Sequence, residues 1–441
     1  MTRPPEDLHR RPGGDRRPVL DRNQKRLRLF LFGLVALVYA GAFVHGELHP
    51  STRWTLDSYE YQWAANNLYD SGIFYCRDLG EPLEAAFYSR RTPLYPVLIW
   101  LPLKLAPDGA LVVLLQIGLG IAAAAMLGAV LRDFGLGCRL RWICLAAFLL
   151  YPAQVIYTQT VMAEVLLEFL LLAVLYGLVR FAKTGNRQFA VLMNVALALA
   201  PLAKPIALFL WIPNLAFWGW FVWRRKRKGL IVLALLPLLA ISLWSYRNLR
   251  ATGHYHFSSI VSRYMWYLTP PDYRDRGKAR DFSRVDDDSW RSFWKGRLDR
   301  WPSTLWLYAR GSVVFFIDPG RFDIYQFLGL EQDVSGLKIL RSSTSERWQR
   351  LMRIRGPVLV YLALVALLNV AIACGFFASL LLRRIPVEIR LFLALVVGYT
   401  VAVVGLTGFS RYRLAIEPYL FIGAAVALEN LLRRLGKLRE P

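Results

Sequence analysis

The chain has 441 residues, 56% of them hydrophobic, and a formal net charge of +24. Apolar runs of about 18 residues or more recur along it, which excludes an ordinary soluble domain and reads as an all-α polytopic membrane protein. Its cations stand at the ends of those runs, as in positive-inside loops meeting anionic lipid, and this argues against nucleic acid as a partner.

Residues 1–28 are polar and rich in Arg and read as a disordered basic cytoplasmic tail. Residues 29–44 form the first predicted span. Ala40-Gly41-Ala42 resembles a cleavage site, but the basic leader is long and the following chain is itself apolar, so the segment reads as an uncleaved anchor. Residues 45–108 make a first outer loop that carries an aromatic run over 59–75. Within it, the apolar piece 94–105 is shorter than the roughly 20 residues a span needs. If it crossed, the basic loop 132–141 and the cluster 223–228 would fall outside. The positive-inside rule therefore lays it along the outer interface. Further spans are predicted at about 109–131, 142–158, 164–181, 188–203, 205–223 and 229–246. A long outer segment, 247–356, precedes the last spans at 357–382, 391–409 and 413–432, and 433–441 is a second basic tail. The sum is ten spans with both ends cytoplasmic. The 4 cysteines show no paired spacing for a disulfide framework or metal cluster, and His254 and His256, the closest pair of the 5 histidines, read as loop residues.

The first loop opens on residues 55–62, Thr-Leu-Asp-Ser-Tyr-Glu-Tyr-Gln. If this stretch is helical, Asp57 and Glu60 share a face. A carboxylate pair at a membrane exit suits a general base. The same pattern also suits a helix start, with Asp57 as N-cap and Glu60 completing a capping box. Other charges flank apolar runs on the same predicted side: Arg90 and Arg91 before 94–105, Glu164 opening a span, Lys204 at a turn, Arg247 ending a span, and Arg411 and Arg413 at the last outer turn. Each has a plain reading, as a dipole-favoured helix start for Glu164 or as snorkelling cations. Their shared side, against the sign the positive-inside rule prefers there, describes a cationic cavity with a few carboxylates, suited to a phosphate at headgroup depth.

Taken in order, these motifs resemble the C-type (GT-C fold) membrane glycosyltransferases, in the branch related to protein O-mannosyltransferases and lipid A aminoarabinose transferases. The match runs from about residue 29 to 432. The family's acidic residue after the first span is here Asp57. Its charged residue before a Pro-Leu-Tyr-like motif is Arg90-Arg91-Thr-Pro-Leu-Tyr-Pro96. A Pro, an aromatic and an acidic residue opening a span match Tyr151-Pro152 through Glu164. The Lys-Pro turn is Lys204-Pro205, the Arg-Asn after a Trp-containing span is Arg247-Asn248, and Arg411-Tyr-Arg413 precedes the last span. Members often carry Lys before Pro-Pro-Leu, whereas this chain has Arg-Arg-Thr-Pro, which leaves the phosphate contact open between Arg90 and Arg91. Glu60 stands where many have a second Asp.

The resemblance implies one transmembrane glycosyltransferase domain over 29–432. It would move a sugar from a polyprenyl-phosphate donor to a lipid, glycan or protein acceptor at the outer, periplasmic face of a bacterial inner membrane. Asp57 would be the general base. Glu60, Arg90, Arg91, Glu164, Lys204, Arg247, Arg411 and Arg413 would bind substrate. Tyr59, Tyr61, Trp63, Tyr88 and Trp266 would stack on sugar or line the lipid groove. Metal dependence varies between branches and a divalent metal stays open. The alternative is a transporter or flippase of an anionic sugar-phosphate lipid. That class calls for inverted repeats and ionisable groups near the midplane, and the chain shows no repeat and gathers its charges at one face.

Overall fold

The computed structural model describes residues 22–269, 288–330, 356–406 and 410–436, with no strand among them. The helices are α1 (Arg22–Leu48), α2 (Leu56–Ser71), α3 (Leu94–Leu105), α4 (Ala110–Asp133), α5 (Cys138–Leu149), α6 (Pro152–Gln159), α7 (Glu164–Thr184), α8 (Arg187–Ala203), α9 (Trp211–Arg224), α10 (Leu236–Thr252), α11 (Ser259–Leu268), α12 (Asp288–Leu298), α13 (Trp301–Ile317), α14 (Arg321–Phe327), α15 (Gly356–Leu380), α16 (Val387–Val404) and α17 (Glu417–Arg434). This is an all-α polytopic membrane protein.

The ten predicted spans all fall on helical segments, but length trims the number that can cross unaided. Seven of the described helical stretches are long and apolar enough, and the pair α5 and α6, bent by 49°, makes an eighth. With 17 and 14 residues, α8 and α9 reach only about 25 and 21 Å at 1.5 Å per residue, short of a hydrocarbon core of about 30 Å. Two predicted boundaries also move. The first helix begins at Arg22, inside the expected 1–28 tail, and α17 runs to Arg434. The rest of both tails, and 270–287 and 331–355 of the predicted outer segment, lie outside the described residues.

The centre of the bundle is α7, whose apolar window is 78% buried. It packs along α8, and Gly177 sets the spacing. A Cβ there would sit 2.8 Å from the Phe189 carbonyl and 2.9 Å from the Met193 amide nitrogen, so only glycine lets the two backbones approach this closely. The same device joins α15 to α17, where a Cβ on Gly423 would lie 2.8 Å from the Phe376 Cα. Short α3 turns Tyr95, Ile99 and Leu103 inward at i, i+4, i+8 and leaves Val97, Leu101 and Leu105 exposed.

The two ends of the bundle differ in charge chemistry. At the end where α4 and α5 meet, carboxylates serve as anchors for cations. Asp133 takes Arg180 at 3.2 Å and Lys183 at 2.7 Å, and Glu429 takes Arg384 at 3.2 Å and Arg433 at 2.8 Å. The opposite end, where α7 begins, holds the candidate site.

Candidate active site

The site begins with the start of α2. Thr55, in an extended conformation (φ −120°, ψ 170°), is the N-cap: its side chain accepts from the Ser58 amide at 3.1 Å, and the Ser58 hydroxyl accepts from the Thr55 amide at 3.0 Å. This corrects the expected cap. Asp57 lies inside the helix, past the capping position, and Glu60 takes no part in the box. The helix start is satisfied without either carboxylate, so both project from one face of α2 toward residues 90–91.

There they enter a single alternating chain of charge. Arg90 pairs with Glu60 at 2.7 Å. Arg91 donates from Nε to the other Glu60 oxygen at 2.7 Å and from Nη2 to Asp57 Oδ1. Asp57 Oδ2 accepts from Arg411 Nη2 at 2.5 Å, Arg411 Nε donates to Glu164, and Lys204 donates to the same Glu164 oxygen. In order the chain reads Arg90, Glu60, Arg91, Asp57, Arg411, Glu164, Lys204. Four cations face three carboxylates, so a cation stands at each end and one positive charge is left over. The middle is the open part: side-chain exposure is 27% at Asp57 and 26% at Arg411, against 3% at Glu164 and 6% at Lys204.

Backbone breaks aim these groups. Between α6 and α7 the chain turns over 160–163, and Gln116 on α4 holds that turn. Its Nε2 donates to the carbonyls of Thr158 at 3.1 Å and Thr160 at 2.8 Å, while Tyr95 of α3 donates to its Oε1 at 2.6 Å. The turn ends on Glu164, the first residue of α7. Lys204 closes α8 in an extended conformation (φ −155°, ψ 131°), as the residue before a proline tends to. Its ammonium lies 4.9 Å over the Tyr412 ring. Sequence reasoning passed over Gln116, a lone amide within an apolar run.

The electrostatics follow from this geometry. Burial alone would raise the Asp57 carboxyl, but Arg91, Arg411 and Lys204 outweigh it and hold the group well below the usual carboxylate range. Glu60 is pushed up by burial and by the neighbouring Asp57 charge, against the pull of Arg91. Burial brings the Lys204 ammonium down to about 8 despite Glu164 beside it. Asp323 on α14 was not singled out by the sequence, because it sits alone in an aromatic-rich segment. Burial pushes it up to about 6, and Tyr157 and Arg411 lie near it.

For Asp323 the folded state thus favours the protonated acid. Stability on its account is full below the unfolded pKa of about 4 and falls as pH rises toward 6. Asp323→Asn is therefore expected to raise the thermal midpoint at pH 8 by roughly 2 °C or more, with the gain vanishing near pH 4. Equal midpoints at pH 8 would contradict this placement of the charge.

Two of the sequence candidates stand apart from the chain. Arg247 ties down the first loop: it donates to the carbonyls of Tyr88 at 2.5 Å and Phe74 at 2.9 Å, and its guanidinium lies over the Phe74 and Trp244 rings. Arg413 is buried and donates to the carbonyls of Phe315 at 2.7 Å and Asp318 at 2.9 Å and to the Tyr151 hydroxyl at 3.0 Å. Among the aromatics, Tyr61 is buried with Arg91 over its ring, Tyr59 stacks on Trp54, Tyr88 meets Tyr75 edge-on, and Trp63 is exposed. The Trp266 side chain lies outside the described residues. Among the described residues no three His, Cys, Asp or Glu side chains converge as a metal site. The carboxylates of the chain face arginine and lysine instead.

No protein-family model matches the chain, and no curated protein matches it by sequence. Solved structures do. The archaeal oligosaccharyltransferase AglB from Archaeoglobus fulgidus, in complex with an inhibitory peptide and a dolichol-phosphate, aligns over 94% of this chain and 51% of its own with 12% identity and a TM-score of 0.52. ArnT from Cupriavidus metallidurans, bound to undecaprenyl phosphate, aligns over 92% of this chain and 81% of its own with 16% identity and a TM-score of 0.39. The chain spans about half the length of the oligosaccharyltransferase. At 12% identity that likeness is one of fold: the chain shares the fold of the matched half of that oligosaccharyltransferase.

Proposed function

We propose that the chain is a membrane glycosyltransferase that moves a sugar from a polyprenyl-phosphate donor to an acceptor at the outer face of a bacterial inner membrane. The observation that carries this reading is the alternating charge chain, drawn from five separated stretches to one end of the bundle and left with one positive charge over. A sugar phosphodiester brings one negative charge to match it. In this reading Arg411, Lys204 and Arg90 receive the donor phosphate, since charge-assisted contacts from preset cations suit a group whose negative charge grows as it departs. The acceptor hydroxyl or amine attacks the anomeric carbon, and the carbon–oxygen bond to phosphate breaks with its electron pair leaving on the phosphate. The acceptor proton passes to Asp57. Paired with both Arg91 and Arg411, Asp57 is held too acidic to be a strong base. A phosphate that draws Arg411 toward itself removes one of those partners and restores basicity when the donor is in place. Arg91, braced by Glu60, keeps the carboxylate oriented. Arg247 shapes the loop and Arg413 the last turn, so both act through position.

The likeness of fold supports this reading, as does the clustering of ionisable groups at one end of the bundle. The test uses the purified full chain in detergent and in proteoliposomes, with donor radiolabelled in the sugar and water or membrane extract as acceptor. A transferase cleaves the sugar–phosphate bond and releases polyprenyl phosphate. Intact donor crossing the bilayer with no cleavage would replace this reading with that of a transporter.

A further inference from the structure

The end of the bundle opposite the charge chain holds a groove of about 640 Å³ between α1, α4 and α5. Its walls are apolar, including Leu31, Val35, Ile117, Ile121 and Leu149, and it is kept open by small residues such as Ala125 on α4. Along α1 it runs from Arg28 to Tyr39, eleven residues, or about 16 Å at 1.5 Å per residue. That is the depth of one leaflet of a hydrocarbon core of about 30 Å.

The mouth of the groove is cationic. Arg28, Arg132 and Arg141 line it, and the Arg28 guanidinium lies 4.5 Å over the Trp142 ring. None of the three forms an ion pair with a described carboxylate. The local carboxylates are already engaged, Asp133 by Arg180 and Lys183, and Glu429 by Arg384 and Arg433. Three uncompensated guanidiniums and an interfacial Trp at headgroup depth, above an apolar slot one leaflet deep, have the charge and shape of one molecule. A transmembrane helix of a partner protein would fill the slot but leave the three charges unanswered.

We propose that this groove is a binding site for a single anionic phospholipid of the leaflet at the arginine-rich end. The three arginines and Trp142 hold its phosphate-bearing headgroup, and its acyl chains lie against α1, α4 and α5. The site is separate from the charge chain and does not depend on what that chain catalyses.

Native mass spectrometry of the purified full chain, delipidated and then titrated with phosphatidylglycerol or phosphatidylcholine, tests this. Phosphatidylglycerol is expected to saturate one tight site, and phosphatidylcholine to bind at least tenfold more weakly. Each of Arg28→Gln, Arg132→Gln and Arg141→Gln should weaken phosphatidylglycerol by about fivefold. Ala125→Trp leaves every charge in place and fills the slot from an exposed position, so it should remove the site while the lipid-free thermal midpoint stays unchanged. If the arginine variants weaken binding but Ala125→Trp does not, the attraction is diffuse surface charge and the groove is not the site. Equal binding of the two lipids would overturn the proposal. So would co-purification of a polyprenyl phosphate, in place of a phospholipid, in a form that Ala125→Trp displaces.

Discussion

Asp57→Asn is expected to lower sugar transfer by about 10²–10⁴, the usual cost of removing a general base, while the fold and donor binding survive. The geometry explains why this substitution separates chemistry from structure. Asn keeps the size and the hydrogen-bonding oxygen of Asp but takes up no proton. The start of α2 is unaffected, because Thr55 and Ser58 cap it. The neighbouring cations are not orphaned either: Arg91 retains Glu60 at 2.7 Å, and Arg411 retains Glu164. Glu60→Gln is the matched control. It removes a charge of the same sign from the same helix face and weakens the bracing of Arg91, and it is expected to cost about tenfold or less in transfer. Near-normal transfer by Asp57→Asn, measured with purified carrier-linked donor, would refute the role and move attention to Glu60 or Glu164.

Arg411→Gln should be the most damaging of the cation replacements, in stability as well as in donor handling. Arg411 is the link between the two halves of the chain, bridging Asp57 and Glu164 through different nitrogens. Without it Glu164, 3% exposed, keeps Lys204 as its partner in the chain. Both carboxylates thus keep one cation, Asp57 through Arg91, and the loss is that of the charge-assisted contacts to Arg411, about 1.5–3 kcal/mol. Donor affinity should fall by about tenfold or more, the equivalent of a charge-assisted contact of about 1.5–3 kcal/mol. Arg411→Lys should restore little, since a single ammonium does not reproduce a planar fork spanning two carboxylates. The double variant Glu164→Gln, Arg411→Gln should be less destabilised than the sum of the two single variants, since Lys204 also loses its partner in it, and should recover none of the donor affinity. A strictly additive double variant would show that the two side chains are not coupled as the structure places them.

How much of this was legible beforehand differs by residue. The spacing of Asp57 and Glu60 put both on one helix face, and the structure has them there. The cap was misread because Thr55 and Asp57 both suit that position, and only the backbone angles decide between them. Arg91 and Arg411 could be recognised as charges out of place. Their alternation with three carboxylates could not, since it joins positions up to 354 residues apart. Arg247 and Arg413 carry the same sequence signal as Arg411. A cation at the end of an apolar run looks alike whether it bridges two carboxylates, as Arg411 does, or chiefly ties down backbone carbonyls, as Arg247 does and as Arg413 does beside Glu417. The ten-span reading followed hydropathy, which registers apolar composition more readily than helix length, and the breaks at Lys204-Pro205 and ahead of α9 leave two segments short. Gln116 left no trace in the sequence, because one amide inside an apolar helix gives no hint of the carbonyls it will meet.

The central claim is that the alternating chain is where the donor phosphate binds. Its most direct test is the position of phosphorus in a structure of the full chain solved with polyprenyl phosphate. The phosphate is expected within hydrogen-bonding reach of Arg411 and Lys204, with Arg411 drawn off Asp57 or Glu164. A phosphate bound elsewhere, with the Asp57–Arg411–Glu164 bridge intact, would contradict the account.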